Sequence, residues 1–141
     1  MASDGSKEPV STSGPMSERC PCSSGDPFDR CCGPLLAGAE APTAERLMRS
    51  RYTAFVRRDA AHLRRTWHPS TRPAELELEI DLQWRRLLVL SREGGGPFDT
   101  EGAVEFEAHW CQGAARGTLH ERSRFVREQR RWLYVDGDVE T

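Results

Sequence analysis

Hydrophobic positions follow two different periods along this chain. Leu47, Met48, Tyr52, Phe55 and Val56 recur at three- and four-residue intervals, which places them on one stripe of a helix over 43–58. Thr43 stands where an N-cap belongs, with Arg46 in the place of the Glu that would complete a capping box. Asp59 predicts the cap of a second short helix carrying Leu63 and Trp67. His68-Pro69 ends it, because the residue before a proline is pushed out of helical geometry. Beyond Pro73 the period drops to two. Leu76, Leu78, Ile80 and Leu82 alternate with Glu75, Glu77, Glu79 and Asp81, a strand with one apolar and one charged face, although Glu and Leu also form helices. Residues 87–91 read as a buried strand and 94–97 as a loop. Residues 103–111, 118–127 and 131–135 read as three more strands, joined by turns at 112–117 and 128–130. Helices first and an antiparallel meander afterwards is the element order of an α+β fold.

The segments outside this pattern set the domain organisation. Residues 1–19 are Ser, Gly, Pro and charges without periodicity, a composition that predicts disorder and contains no apolar stretch of a secretory signal. Met16 lies just ahead of the first cysteine and offers an alternative translation start to Met1. A small-residue linker over 35–42 separates a compact unit at 20–34 from the α+β domain at 43–141. With 37% hydrophobic and 30% charged residues the chain supports one modest packed domain. No apolar run approaches the roughly 20 residues that cross a bilayer. A net charge of −2 argues against a general nucleic-acid binder. Residues 43–72 nonetheless hold eight arginines against Glu45 and Asp59. That is either a solvated face balanced by the acids at 75–81 or a contact for RNA or the ribosome.

The chemistry concentrates in Cys20-Pro-Cys22 and the adjacent pair Cys31-Cys32, four thiols within thirteen residues. Four soft sulfurs around a tight Gly- and Pro-containing turn suit a tetrahedral zinc ion in a closed structural site. Disulfides and an iron–sulfur cluster are the alternatives. Adjacent cysteines pair with each other only under strain, and without export the thiols stay reduced, so the expectation is one structural zinc in the cytoplasm.

Catalytic machinery is not evident. The chain has no G-x-S-x-G, no H-E-x-x-H and no phosphate-binding glycine loop, and Gly94–Gly96 lacks the Lys-Ser or Lys-Thr that would follow one. His109 and His120 alternate with apolar neighbours and should face solvent, and Cys111 reads as an inert thiol. Polar residues aimed at an interior are the remaining candidates. Glu121 shares a strand face with Leu119, Ser123 and Phe125, while Arg51 sits one helical turn from Leu47 and Phe55. The two either pair with each other or leave a charge free for a ligand. Tyr52 and Trp67 would wall such a cavity, His68 would cap the helix end or act as acid–base, and Arg122 completes the candidate set.

Cys20-Pro-Cys22-Ser-Ser-Gly25, Phe28 and Cys31-Cys32-Gly33 resemble the SEC-C motif, named for the C-terminal tail of the translocation ATPase SecA. Leu47–Phe55, Thr66–Ser70, Glu121–Phe125 and Trp132–Gly137 resemble the uncharacterised bacterial YchJ-like family, so that the resemblance spans residues 20–137. It implies a nuclear-transport-factor-2-like cone, a curved antiparallel sheet wrapped on helices, that dimerises in many members through the outer face of its sheet. It also implies a protein partner near translation, chaperone or secretion traffic, bound through the zinc knuckle or the cone. The alternative it admits is an enzyme or ligand carrier using the cone cavity. The chain departs from the pattern at Ser23, where glycine is usual. Asp26, Asp29 and Arg30 stand where the SecA tail is lysine-rich, and many members carry a second SEC-C copy after the cone, whereas this sequence runs to Thr141.

Overall fold

The computed structural model describes residues 18–140. The expectations of disorder before the first cysteine and of a start at Met16 fall on residues outside that range, apart from Glu18 and Arg19. Those two are ordered, with Arg19 bridging Pro27 and the Phe28 N–H donating to the Glu18 carbonyl. A 3₁₀ turn at Phe28–Arg30 leads into α1 (Cys32–Leu36), then α2 (Ala44–Arg57) and α3 (Ala60–Arg65). Four strands follow: β1 (Leu82–Gly94), β2 (Glu101–Gln112), β3 (Ala115–Glu128) and β4 (Arg131–Glu140). They form one antiparallel sheet in sequence order, so the fold is the expected α+β.

Local chemistry explains the helix ends. The Thr43 hydroxyl accepts from the Arg46 N–H at 3.1 Å, and Asp59 accepts from the His62 N–H at 3.0 Å, as N-caps do. Arg58 ends α2 in the left-handed region with φ 58°, its N–H turned back to the Ala54 and Phe55 carbonyls. Helix α3 stops at Arg65, short of Trp67. Trp67 instead makes a parallel bridge to Tyr134, where the His68 N–H donates to the Tyr134 carbonyl at 2.7 Å.

The alternating stretch over 76–82 does not form the expected strand. Leu76 and Leu78 are half-buried and the intervening acids are exposed, so the period of two is real, but the backbone finds no partner strand and Ile80 is 85% exposed. Arginine side chains take the carbonyls that a ladder would have used. Arg58 donates to Glu79 and Ile80, and Arg64 donates to Pro73 and Ala74. Pairing begins at Leu82.

Register slips after Trp84, Val89 and Arg124 mark bulges, which bend and twist the sheet until its inner face is concave. Leu87, Val104, Phe106, Phe125 and Trp132 on that face pack against Leu47, Met48 and Tyr52 of α2, and the four cysteines join the same core. Burial of such side chains contributes about 1.5–3 kcal/mol each, which is what holds α2 in the trough. The other face carries ion pairs: Arg122 with Glu93, His120 with Glu105, and Arg124 with Asp136 and Asp138.

Candidate functional site

Cys20, Cys22, Cys31 and Cys32 converge in the 20–34 segment, all buried, with their sulfurs within 4.8 Å of one another. No disulfide forms among them. The Cys22–Cys31 and Cys31–Cys32 sulfur separations are 3.5 and 4.0 Å. A tetrahedron of sulfurs about 2.3 Å from a central ion has edges of about 3.8 Å, so the donor set fits a four-thiolate metal site. Hydrogen bonds from Cys20 and Cys32 hold the Cys22 thiol well below its usual range, whereas burial pushes Cys31 up to about 11.

The cluster is seated by α2 and β1. Arg46 and Arg49 donate to the Cys31 and Cys22 carbonyls at 3.3 and 2.8 Å. Thr53 Oγ1 lies 3.8 Å from the Cys20 sulfur, and Ser24 Oγ lies 3.2 Å from that of Cys31. Ser23, the residue in the usual glycine position, has φ 68° and accepts from the Leu87 N–H of β1 at 3.1 Å. Arg57 covers Phe28, its guanidinium 4.1 Å from the ring centroid.

The arginine-rich stretch is thereby accounted for inside the molecule. Besides Arg46, Arg49, Arg57, Arg58 and Arg64, Arg65 donates to the Leu36 carbonyl and Arg72 to that of Trp67. These bonds satisfy carbonyls left over at helix ends and in irregular backbone.

The eighth arginine of the stretch opens onto a second site. On the concave face a cavity of about 150 Å³ is lined by Arg51, Tyr52, Trp67 and Glu121, together with Met48, Phe55, Trp84, Phe106 and Tyr134. Four of the six predicted pocket residues meet there. The other two do not. Arg122 alternates to the convex face, where it pairs with Glu93, because its neighbours Glu121 and Ser123 point inward. His68 lies outside the cavity, bonded to Ser70 at 2.8 Å and to Glu128 at 3.1 Å.

Arg51 is 6% exposed. Its Nη1 donates to the Leu63 carbonyl and to Thr66 Oγ1, at 2.9 and 2.8 Å, tying α2 to α3. The rings of Trp67 and Tyr134 cover its guanidinium at 5.0 and 4.4 Å. Burial pulls its pKa down to about 10, still far above neutrality, so the cation persists. It makes no direct ion pair with Glu121, whose carboxylate instead accepts from Ser123 Oγ at 2.7 Å. Burial raises Tyr134 to about 12, and the Glu121 charge and hydrogen bond add to that. Burial likewise raises Tyr52 to about 12, with the Cys22 charge adding to it. The Tyr52 hydroxyl and the Trp67 indole nitrogen are buried without a partner.

Residues 43–137 match the family described as YchJ, middle NTF2-like domain, and residues 16–34 match the SEC-C motif. A UPF0225 protein of Streptomyces coelicolor is 49% identical over 84% of this chain and 94% of its own length. The chain belongs to the UPF0225, YchJ-like family. A UPF0225 protein of Corynebacterium efficiens is equally similar, 49% identical over 86% of this chain and 93% of its own. Among solved structures, a SEC-C motif containing protein from Rhodopseudomonas palustris superposes with TM-score 0.76 at 32% identity, covering 88% of this chain and all of that one. A SEC-C motif containing protein from Psychrobacter arcticus gives TM-score 0.70 at 25% identity over 88% and 84% of the two chains. The resemblance drawn from the cysteine block and the four downstream blocks therefore holds, as does the cone fold it implied.

Two residues of the site escaped sequence reasoning. Trp84 stands between Gln83 and Arg85, a signal that would have placed it on the inner face, whereas Tyr134 stands between Leu133 and Val135 and carried no such signal. Outside the cavity, His62 was missed as well. It is 2% exposed beneath α2, with Nε2 2.9 Å from Ser50 Oγ.

Proposed function

We propose that this chain is a cytoplasmic small-molecule-binding protein whose working site is the concave cavity and whose cysteines hold one structural zinc. The observation that carries the reading is Arg51, a buried guanidinium with no carboxylate in direct contact, opening onto an otherwise largely apolar void. Buried charge is costly unless it meets a counter-charge, and a bound molecule can supply one. Zinc is favoured among metals by a four-thiolate tetrahedral donor set, and four protein ligands leave no open position for a substrate. Glu121 is the acid in the cavity, and no nucleophile–base–orienter set accompanies it, which favours carriage or sensing over turnover. In this reading the knuckle stabilises the trough, since its cysteine-bearing side packs on α2 and β1.

Native mass spectrometry of zinc-loaded protein isolated from its host tests the reading. The expected result is one zinc per chain and a small organic molecule that is absent from an Ala108→Phe variant with a filled cavity. Absence of any bound molecule, and of any binding from a fragment library, counts against it. An adaptor role through the outer turn of the knuckle would be supported instead by a partner protein lost on reversing the exposed charges of Asp26, Asp29 and Arg30 with zinc retained.

A further inference from the structure

We infer that the cavity selects a single-ring aromatic monocarboxylate, with its acid group on Arg51 and its ring against Met48, Phe55 and Trp84. This inference rests on the cavity being the working site. Size supplies the first argument. An apolar cavity of about 150 Å³ is the volume that accommodates one benzene ring, and this cavity measures about 150 Å³.

Charge supplies the second. Arg51 Nη1 has its two acceptors in Leu63 and Thr66, while Nε and Nη2 have no hydrogen-bond acceptor among the described residues. The rings of Trp67 and Tyr134 pack against the guanidinium at 5.0 and 4.4 Å, and the edge carrying Nε and Nη2 is the part left for an incoming acceptor. Two parallel N–H donors on one edge match the two oxygens of a carboxylate. A neutral carbonyl could take these hydrogen bonds but would leave the buried cation uncompensated.

Glu121 supplies the selectivity. Its carboxylate is held on the wall by Ser123 and Tyr134 and lies over Gly137, where a Cβ would strike it. A ligand with a second acid group would bring that group toward this fixed negative charge. One acid group is therefore admitted and two are disfavoured.

Titration of the full zinc-loaded chain with benzoate, benzamide and isophthalate, followed by the indole ¹⁵N–H resonances, tests this. Trp67 and Trp84 line the cavity, and Trp110 and Trp132 lie outside it as internal controls. Benzoate should shift the first pair selectively and bind at least tenfold tighter than either benzamide or isophthalate. Glu121→Gln, which leaves the Arg51 bonds in place, should tighten benzoate several-fold and leave benzamide unchanged. If benzamide binds as tightly as benzoate while shifting the same indoles, the carboxylate assignment is overturned and the cavity reading stands. If no probe moves Trp67 or Trp84, both are overturned. Arg51→Gln should abolish the preference for benzoate over benzamide, with zinc content and the indole spectrum reporting whether the variant is folded; a preference retained in the folded variant overturns the assignment.

Discussion

Mild acid should destabilise this protein through His62. The imidazole is enclosed between α2 and α3, with Nδ1 3.0 Å from Arg65 Nη2 and Nε2 2.9 Å from Ser50 Oγ. Arginine can only donate, so Nδ1 accepts and Nε2–H donates to Ser50, whose own proton goes to the Leu47 carbonyl at 2.7 Å. Every valence of the neutral ring is used, and a proton added to Nδ1 would face a guanidinium. Burial first, and Arg65 second, lower the His62 pKa from 6.5 to about 4. The unfolded chain therefore takes up a proton below pH 6.5 that the folded chain refuses until about pH 4. The stability is fully present above pH 6.5 and is lost as pH falls through that window. At about 1.4 kcal/mol per pH unit the loss by pH 4 is roughly 3 kcal/mol, a large share of the ~5–15 kcal/mol that holds a domain together. Urea unfolding of wild type and His62→Gln, both zinc-loaded, at intervals from pH 7.5 to 4.5 isolates this effect, because acid release of zinc is common to both. The variant should be about 1–2 kcal/mol less stable at pH 7.5 from its disturbed hydrogen bonds. The gap should close by roughly 2 kcal/mol toward pH 4.5. A gap that stays constant across this range would refute a buried neutral His62.

Removing the metal with a strong chelator should disorder α2 and β1 as well as residues 18–34, since the cysteines share one core with them; structural zinc contributes roughly 10–16 kcal/mol, comparable to a whole domain's stability. Amide NMR spectra would show it, and unchanged resonances across α2 and the sheet would contradict it. Arg130→Gly should raise stability by about 1 kcal/mol, read as a higher Tm, because Gln129 and Arg130 both hold positive φ (52° and 71°) in the two-residue β3–β4 hairpin, the geometry that Asn-Gly fills most cheaply. Arg58→Ala should release the 75–81 strap, whose carbonyls it holds, making that segment the first site of limited proteolysis while the urea midpoint moves by less than the His62 variant's. Equal cleavage rates for variant and wild type would show that the strap is held by its half-buried leucines instead.

What was legible in the chain is what depends on neighbours in sequence. The N-caps at Thr43 and Asp59, the stripe of α2 and the cysteine spacing all follow from local offsets, and the family resemblance supplied the cone. The strap over 76–82 shows the limit of such reasoning. Its alternation is the correct local pattern for a strand, but pairing is a property of the partner, and here the side chain of Arg58, at the C-cap of α2, holds the Glu79 and Ile80 carbonyls. The same holds for Arg51 and Glu121. Their convergence on one cavity followed from helical and strand periodicity, whereas the lack of an ion pair between them depends on Ser123, Tyr134, Leu63 and Thr66, which claim their hydrogen bonds from elsewhere in the fold. Arg122 was misplaced for a simpler reason: adjacent residues of a strand face opposite sides, so it could not share the cavity with Glu121.

The two sites are joined by one helix. Arg46, Arg49 and Thr53 reach from α2 to the cysteine cluster, and Arg51, Tyr52 and Phe55 reach from the same helix to the cavity. Tyr52 belongs to both, since it walls the cavity and packs in the same core as the four cysteines. A four-thiolate knuckle that merely displayed a surface would not need its cysteine carbonyls bonded by the helix that carries the buried cation. Coupling the cluster to α2 fixes the position of Arg51 along the trough, because α2 is then tied at the knuckle through Arg49 and at α3 through Arg51. Loss of zinc should therefore weaken benzoate binding as α2 and β1 lose their order. Retention of full affinity in a chelated, still-folded sample would separate the knuckle from the cavity and return it to a role of its own.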